Sequence, residues 1–501
     1  MRAIDWIVAA AYLAGVVAAG MWLGRRQMGA SDYFLGRRRL PWWAILLSIV
    51  AAETSAITVI SVPGIGFTGD FTFLQLAFGY LLGRMAVAWL LLPAYAKGDL
   101  QTAYQVLGTR WGPHARRTSS AVFMVTRAMA DSVRIFATAI PLAVITGWSY
   151  PASIVVLGAA TLLYTYTGGL RAVVWMDVVQ LGVYLLAGAA ALYVALHLAP
   201  GALAAAAAAG KLRVIDFHAS LTAPYAFFTA VVGGALLSAA SHGTDQLIVQ
   251  RLLATRSLGD ARRALVGSGV VVIVQFTLFL LVGAAMWTAF PAGRALRGDE
   301  VFPRFITTHL SGGLAGLAVA GLLAAAMSTH ASAINSLASA TTNDFYAPLT
   351  GRVGDDRHLL RVGRGFTLLW GTILVLGALL FRQREAPVVV VALSIASLTY
   401  GPLLGAFVLA RFARVRERDV VLALITSSLL MAIVVFAGPL ASWLGGPGML
   451  VTMSRLAWPW YVPLGTALTV AIGLTSSLVG GHGGTDARGH GGTDARGHRA
   501  T

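Results

Sequence analysis

Four carboxylates, Glu53, Asp131, Asp177 and Asp245, lie in stretches otherwise made of small and apolar residues, together with Arg84, Arg127 and Arg134. A charged side chain at the centre of a bilayer costs on the order of 3 kcal/mol even on lenient insertion scales, so such residues serve ions, protons or solutes, or pair with one another. In SIVAAETSAITVIS (48–61), Glu53 is surrounded by Ala51, Ala52, Thr54, Ser55 and Thr58, with Pro63-Gly64 soon after. A helix interrupted there bares carbonyl oxygens, which hydrocarbon tolerates only beside a cavity or site. Carbonyls and hydroxyls are hard donors that suit Na+ better than a soft metal. A second pattern runs through AAAMSTHASAINSLASATTNDFY, where Ser328, Ser332, Asn335, Ser336 and Ser339 follow i, i+4, i+7, i+8 and i+11. That spacing draws a polar stripe down one helix face, with Thr329 beside it. Packing alone would also account for small residues on a helix face. Asp131 stands four residues after Arg127 and three before Arg134, the spacing of ion pairs within one helix.

The elements that must hold these residues are membrane helices. The 501 residues are 57% hydrophobic and 11% charged, with a mean hydropathy of +0.75, whereas soluble chains carry about 25% charged residues. Apolar runs predict about thirteen spans: 4–23, 42–62, 72–95, 118–146, 151–168, 173–197, 224–250, 264–289, 312–346, 365–381, 387–410, 420–443 and 459–479. The alternating pattern of a membrane barrel is absent. Ile4 to Leu23 is too long for a signal-peptide core and reads as a retained span. Alternate loops collect the basic residues, among them Arg25, Arg26, Arg37 to Arg39, Arg116, Arg117, Arg251, Arg256, Arg357, Arg414, Arg416 and Arg418. The positive-inside rule then gives an N-out, C-in topology. The net charge of +17 reports that topology and contact with anionic lipid, and no nucleic-acid partner. Cysteine is absent, which excludes disulfides and thiolate chemistry. GALAAAAAAG (201–210) suggests a short interfacial helix, and the twice-repeated GHGGTDAR a disordered tail over 480–501.

Five stretches together carry a family resemblance: SDYFLGRRRLPWWAILLSIVAAETSAITVISVPG, LPAYAKGDLQTAYQVLGTRWG, YTYTGGLRAVVWMDVVQ, DQLIVQRLLATRS and GLLAAAMSTHASAINSLASATTNDFY. In this order, over roughly residues 30–415, they resemble the sodium:solute symporter family. The resemblance implies an all-α polytopic membrane protein with a LeuT-like core of two inverted five-helix repeats. The first would be 42–197 and the second 224–411, with a leading helix and loop (1–41), an extracellular loop (198–223) and two peripheral helices (412–479). It also implies Na+ bound by backbone oxygens of Ala51, Thr54 and Ala325 and the hydroxyls of Ser328 and Thr329. Asp177 and Ser332 would mark a second ion or coupling position. Ala331 stands where relatives with two ions carry a hydroxyl, and His330 where they carry an apolar residue, which favours one ion per cycle.

The resemblance further implies Na+-driven uptake of a small polar solute (a sugar, an organic or sugar acid, or an amino acid) by alternating access, by a monomer or weak oligomer in a plasma membrane of bacterial inner-membrane type. The membrane potential would add about 2.3 kcal/mol per charge per 100 mV to inward movement. The expected solute pocket comprises Glu53, Ser55, Thr58, Phe73, Gln75, Tyr80, Arg134 and Gln275. An Arg134 facing the cavity suggests an organic or sugar acid, and one bound to Asp131 a neutral sugar or polyol. A proton-coupled carrier using Glu53 or Asp177 stays open at this point. No HExxH, P-loop or GxSxG motif supports an embedded enzyme.

Overall fold

A computed structural model describes residues 2–24, 27, 29–381, 388–446 and 448–479. The tail repeats and the loop residues Arg25 and Arg26 lie outside the described residues. Among the described residues every long element is a helix; the one extended pairing is an isolated bridge between Leu40 and Thr255.

In chain order the principal helices are α1 (Ala3–Leu23), α2 (Trp42–Glu53), α3 (Ala56–Thr68), α4 (Leu74–Leu90), α5 (Pro113–Thr146), α6 (Tyr150–Leu198) and α7 (Phe227–Gly243). They continue with α8 (Gln246–Leu253), α9 (Leu258–Ala289), α10 (Leu314–Ala340), α11 (Asp356–Leu380), α12 (Val388–Leu409), α13 (Glu417–Val435) and α14 (Tyr461–Val479). Among the described residues, eight helical segments are long and apolar enough to cross a membrane, nine with the bent α2/α3 pair; α4, α7 and the Ser397–Leu409 part of α12 are shorter apolar helices. Taking α6 as two crossings divided at Gly169 accounts for the thirteen spans expected. GALAAAAAAG indeed carries a short helix, Ala202–Ala208.

Breaks in the helices position the site. α2 ends at Glu53, Thr54 and Ser55 are extended, and α3 departs at 71°. No proline or glycine makes this break; at its edge the Thr54 N–H and hydroxyl both donate to the Val50 carbonyl, at 3.0 and 2.8 Å. The seventh expected span, 224–250, is likewise not continuous. α7 stops at Gly243, and Asp245 caps α8 by accepting from the Leu247 N–H at 2.8 Å. Each broken pair opens one of the two halves anticipated from the resemblance. At Gly169, φ 54° and ψ −159° turn α6 within its length.

α10 is the centre of the bundle, buried along almost its whole length, and it packs most extensively on α6. α7 lies directly on α4, where a Cβ at Gly83 would come 2.1 Å from the Ala235 carbonyl oxygen. Only glycine permits that approach. At the edge, Glu417 of α13 accepts from the His114 and Ala115 N–H groups at the start of α5, at 2.7 and 3.0 Å. A carboxylate there satisfies free helix-start donors and ties the peripheral helix to the core.

Candidate functional site

At the α2/α3 break the last carbonyls of α2 have no helical partner and point with the negative end of its dipole, a setting that favours a cation. α10 brings its polar stripe to this point. The Thr329 hydroxyl lies 3.4 Å from both the Ala52 and Thr54 carbonyl oxygens and 3.1 Å from that of Ala325. Thr54, Ala325 and Thr329 of the expected ion ligands therefore come together. The carbonyl meeting Thr329 from the α2 end is that of Ala52, one residue on from the expected Ala51. Ser328 turns elsewhere: its hydroxyl donates to Asp177 at 2.6 Å.

Asp177, fully buried on α6, sits against a guanidinium. Arg251 of α8 reaches it at 3.0 Å, and also donates to the Ser48 hydroxyl at 2.8 Å, to the Leu247 carbonyl at 2.8 Å and to Ser332. Arg251 is thus a core residue, corrected from its place among the loop charges. Its fixed positive charge stands between Asp177 and Ser332, the residues expected to hold a second ion.

Beside the break is a cavity of about 190 Å³, lined by Glu53, Ser55, Thr58, Phe73, Tyr80 and Arg134 among the expected solute contacts. Two expected residues lie elsewhere. Gln75 donates to the Tyr225 carbonyl at 2.8 Å and accepts from the Asp216 N–H at 3.1 Å, fastening the 198–226 loop to α4. Gln275 donates to the Thr54 hydroxyl at 2.8 Å and accepts from Tyr184 at 3.1 Å, bracing the break from behind. An amide in a span finds a protein partner as readily as a solute, and sequence cannot tell which. His242, Ser238, Ser241, Tyr225, Tyr400, Arg127 and Trp458 also line it, and none of them is among the expected solute contacts.

The charges around this cavity are matched. Glu53 pairs with Arg84, a fully buried guanidinium from α4 that also donates to Ser268 at 2.6 Å, and His242 stands 3.5 Å from the same carboxylate. A charged partner from the protein itself therefore makes Glu53 tolerable inside a span. Arg127 pairs with Asp245, and Tyr400 donates to the same Asp245 oxygen at 2.8 Å, joining α5, α8 and α12. Asp131 lies 3.5 Å from Arg127 and 3.2 Å from Arg134. Arg134 both bonds Asp131 and faces the cavity, so the two arrangements set against each other in the sequence occur together.

A family model described as "Sodium:solute symporter family" matches residues 33–451. A sodium/sialic acid symporter of Aliivibrio fischeri is 27% identical over 82% of this chain and 83% of its own length. The human sodium/iodide cotransporter is 29% identical over 87% of this chain and 70% of its own. Among solved structures, a Na+-coupled sialic acid symporter in a substrate-bound, outward-open state superposes with a TM-score of 0.82 at 24% identity, covering 95% of this chain and 98% of that one. That likeness establishes the fold, which is LeuT-like.

Proposed function

Because this chain belongs to the sodium:solute symporter family, a family of multi-pass membrane transporters that couple Na+ to solute uptake, we propose that its solute is a small monoanion carried with one Na+. The observation that carries this reading is Arg134, whose guanidinium lines the cavity and, among the described residues, makes a single hydrogen bond, to Asp131, and so has donors to spare. A planar guanidinium offers a carboxylate two parallel hydrogen bonds. Charge balance supports it. Glu53, Asp131, Asp177 and Asp245 are matched by Arg84, Arg127, Arg134 and Arg251. Na+ adds one uncompensated charge to a low-dielectric site, and a monoanion returns the sum to zero. The bacterial and human relatives carry sialic acid and iodide in their names, both anions.

Na+ binds at the α2/α3 break, held by carbonyls of the Ala51–Thr54 segment and Ala325 and by the Thr329 hydroxyl, with Ser328 completing the set when it rotates from Asp177. By bridging α2/α3 to α10 it favours one state of the carrier in proportion to its differential affinity, and the solute then binds alongside. The two inverted repeats, 42–197 and 224–411, alternate access around the site. With the N-terminus outside, the cavity opens outward past Ser61, Ile65 and Trp458, while Arg127, Asp245 and Tyr400 close its inner end. All the residues invoked lie in one chain, so a monomer suffices. We place it in a plasma membrane of bacterial inner-membrane type, in keeping with its bacterial relative.

Uptake into proteoliposomes under a Na+ gradient tests the reading. Small monocarboxylates are expected to accumulate and to compete with one another, and neutral sugars not to. Accumulation of a neutral sugar with no effect of carboxylates would overturn it.

A further inference from the structure

A second, much smaller cavity of about 10 Å³ shares Ser55 and Arg134 with the main one and is otherwise lined by Asp131, Ile135, Thr138, Leu157, Ala326, Thr329 and His330. It has room for one water-sized group. Two of the residues that line it carry unsatisfied polar atoms: among the described residues neither ring nitrogen of His330, a 2% exposed residue, has a hydrogen-bond partner, and Asp131 Oδ2 accepts no hydrogen bond. Arg127 Nη1 lies 3.5 Å from that oxygen. Buried polar groups left without partners are costly and rare, and each calls for something that satisfies it. A histidine in this position of a helix otherwise filled with Ala, Ser and Thr is a costly residue to place without a partner.

We propose that this annexe is a solute subsite receiving a single hydroxyl on the carbon next to the carboxylate held by Arg134. The solute is then a 2-hydroxy monocarboxylate; this rests on the monoanion reading above. A hydroxyl matches the annexe in size and in bonding, since it can donate its one proton to Asp131 Oδ2 while accepting from an imidazole N–H of His330. A methyl group of the same size would bury those groups unpaired. An ammonium would add a positive charge to a site whose charges Na+ and the carboxylate already balance. Sites built to bond a hydroxyl discriminate strongly against analogues that lack it.

The test is Na+-driven uptake by the full chain in proteoliposomes of 2-hydroxypropanoate, 2-methylpropanoate and 2-aminopropanoate. The wild-type protein is expected to take 2-hydroxypropanoate with a half-saturation at least about tenfold lower than 2-methylpropanoate, and to reject the amino acid. His330→Leu is expected to collapse that ratio towards one and His330→Gln to keep part of it, with the Na+-induced thermal shift reporting that each variant is folded. Equal handling of the hydroxy and methyl acids by wild type, or a ratio unchanged in His330→Leu, overturns the annexe while leaving the monoanion reading standing. Preference for 2-aminopropanoate overturns the hydroxyl assignment. Uptake of none of the carboxylates overturns the annexe together with its premise. The wild-type comparison decides even where a variant fails to fold.

Discussion

Arg251 and Asp177, 74 positions apart in sequence, form an ion pair of 3.0 Å between side chains that are almost completely buried. Removing one partner of such a pair leaves the other charge stranded, at a cost of about 3–5 kcal/mol. Asp177→Asn is therefore expected to lower the thermal unfolding temperature and folded yield sharply, and Asp177→Asn with Arg251→Gln to recover part of the loss. An Asp177→Asn variant that unfolds like wild type would show that the pair is not formed.

The same pair bears on stoichiometry. A guanidinium between Asp177 and Ser332 would repel a second cation; on the proposed reading one Na+ then moves with one monoanion and no net charge crosses, in contrast to the potential-driven uptake expected from the resemblance. Initial uptake rates in vesicles are expected to be indifferent to a potassium diffusion potential. A marked rise with an inside-negative potential would indicate a second Na+ or a neutral solute, since each unbalanced charge gains about 2.3 kcal/mol per 100 mV.

Arg134 is expected to be indispensable for the solute and dispensable for the ion. Arg134→Ala should lower the affinity for a monocarboxylate by at least about tenfold, and Arg134→Lys should restore little because an ammonium cannot bond in the two-pronged way. Asp131 keeps Arg127 as a neighbour in both variants, so the Na+-induced thermal shift should persist. Normal uptake by Arg134→Ala would remove Arg134 from the site.

Gly169 offers a test of the fold alone. Its backbone is in the left-handed region, and a Cβ there would lie 2.4 Å from the Tyr33 carbonyl oxygen. Gly169→Ala is expected to destabilise by about 1–3 kcal/mol or more, read as a lower unfolding temperature in detergent.

Local chemistry is readable in the sequence. The apolar runs mark the helices, and Ser and Thr around Glu53 mark the break, because both depend on residues within one or two turns of each other. The stripe on α10 is equally plain, since helical periodicity places its members on one face. Pairing is not readable. Arg84 lies 31 positions from Glu53, Arg127 118 positions from Asp245, and nothing in the spacing of either pair distinguishes a partner from a loop charge. Arg251 passes for a loop charge for that reason. The 224–250 run passes for one span because its break at Thr244–Asp245 has no proline to announce it. Gln75 and Gln275 look like solute contacts until their partners, Tyr225 and Thr54, are known.

The central claim is that Na+ binds where the α2/α3 break meets Thr329, and a Na+ titration of thermal unfolding tests it most directly, because a ligand that binds only the folded state stabilises it in proportion to its occupancy. For the wild-type protein, Na+ but not K+ is expected to raise the unfolding temperature saturably. For Thr329→Val, which exchanges the hydroxyl for a methyl in a similar shape, the half-saturating Na+ concentration is expected to rise at least about tenfold. A Thr329→Val titration that superposes on wild type would place the ion elsewhere and contradict the account.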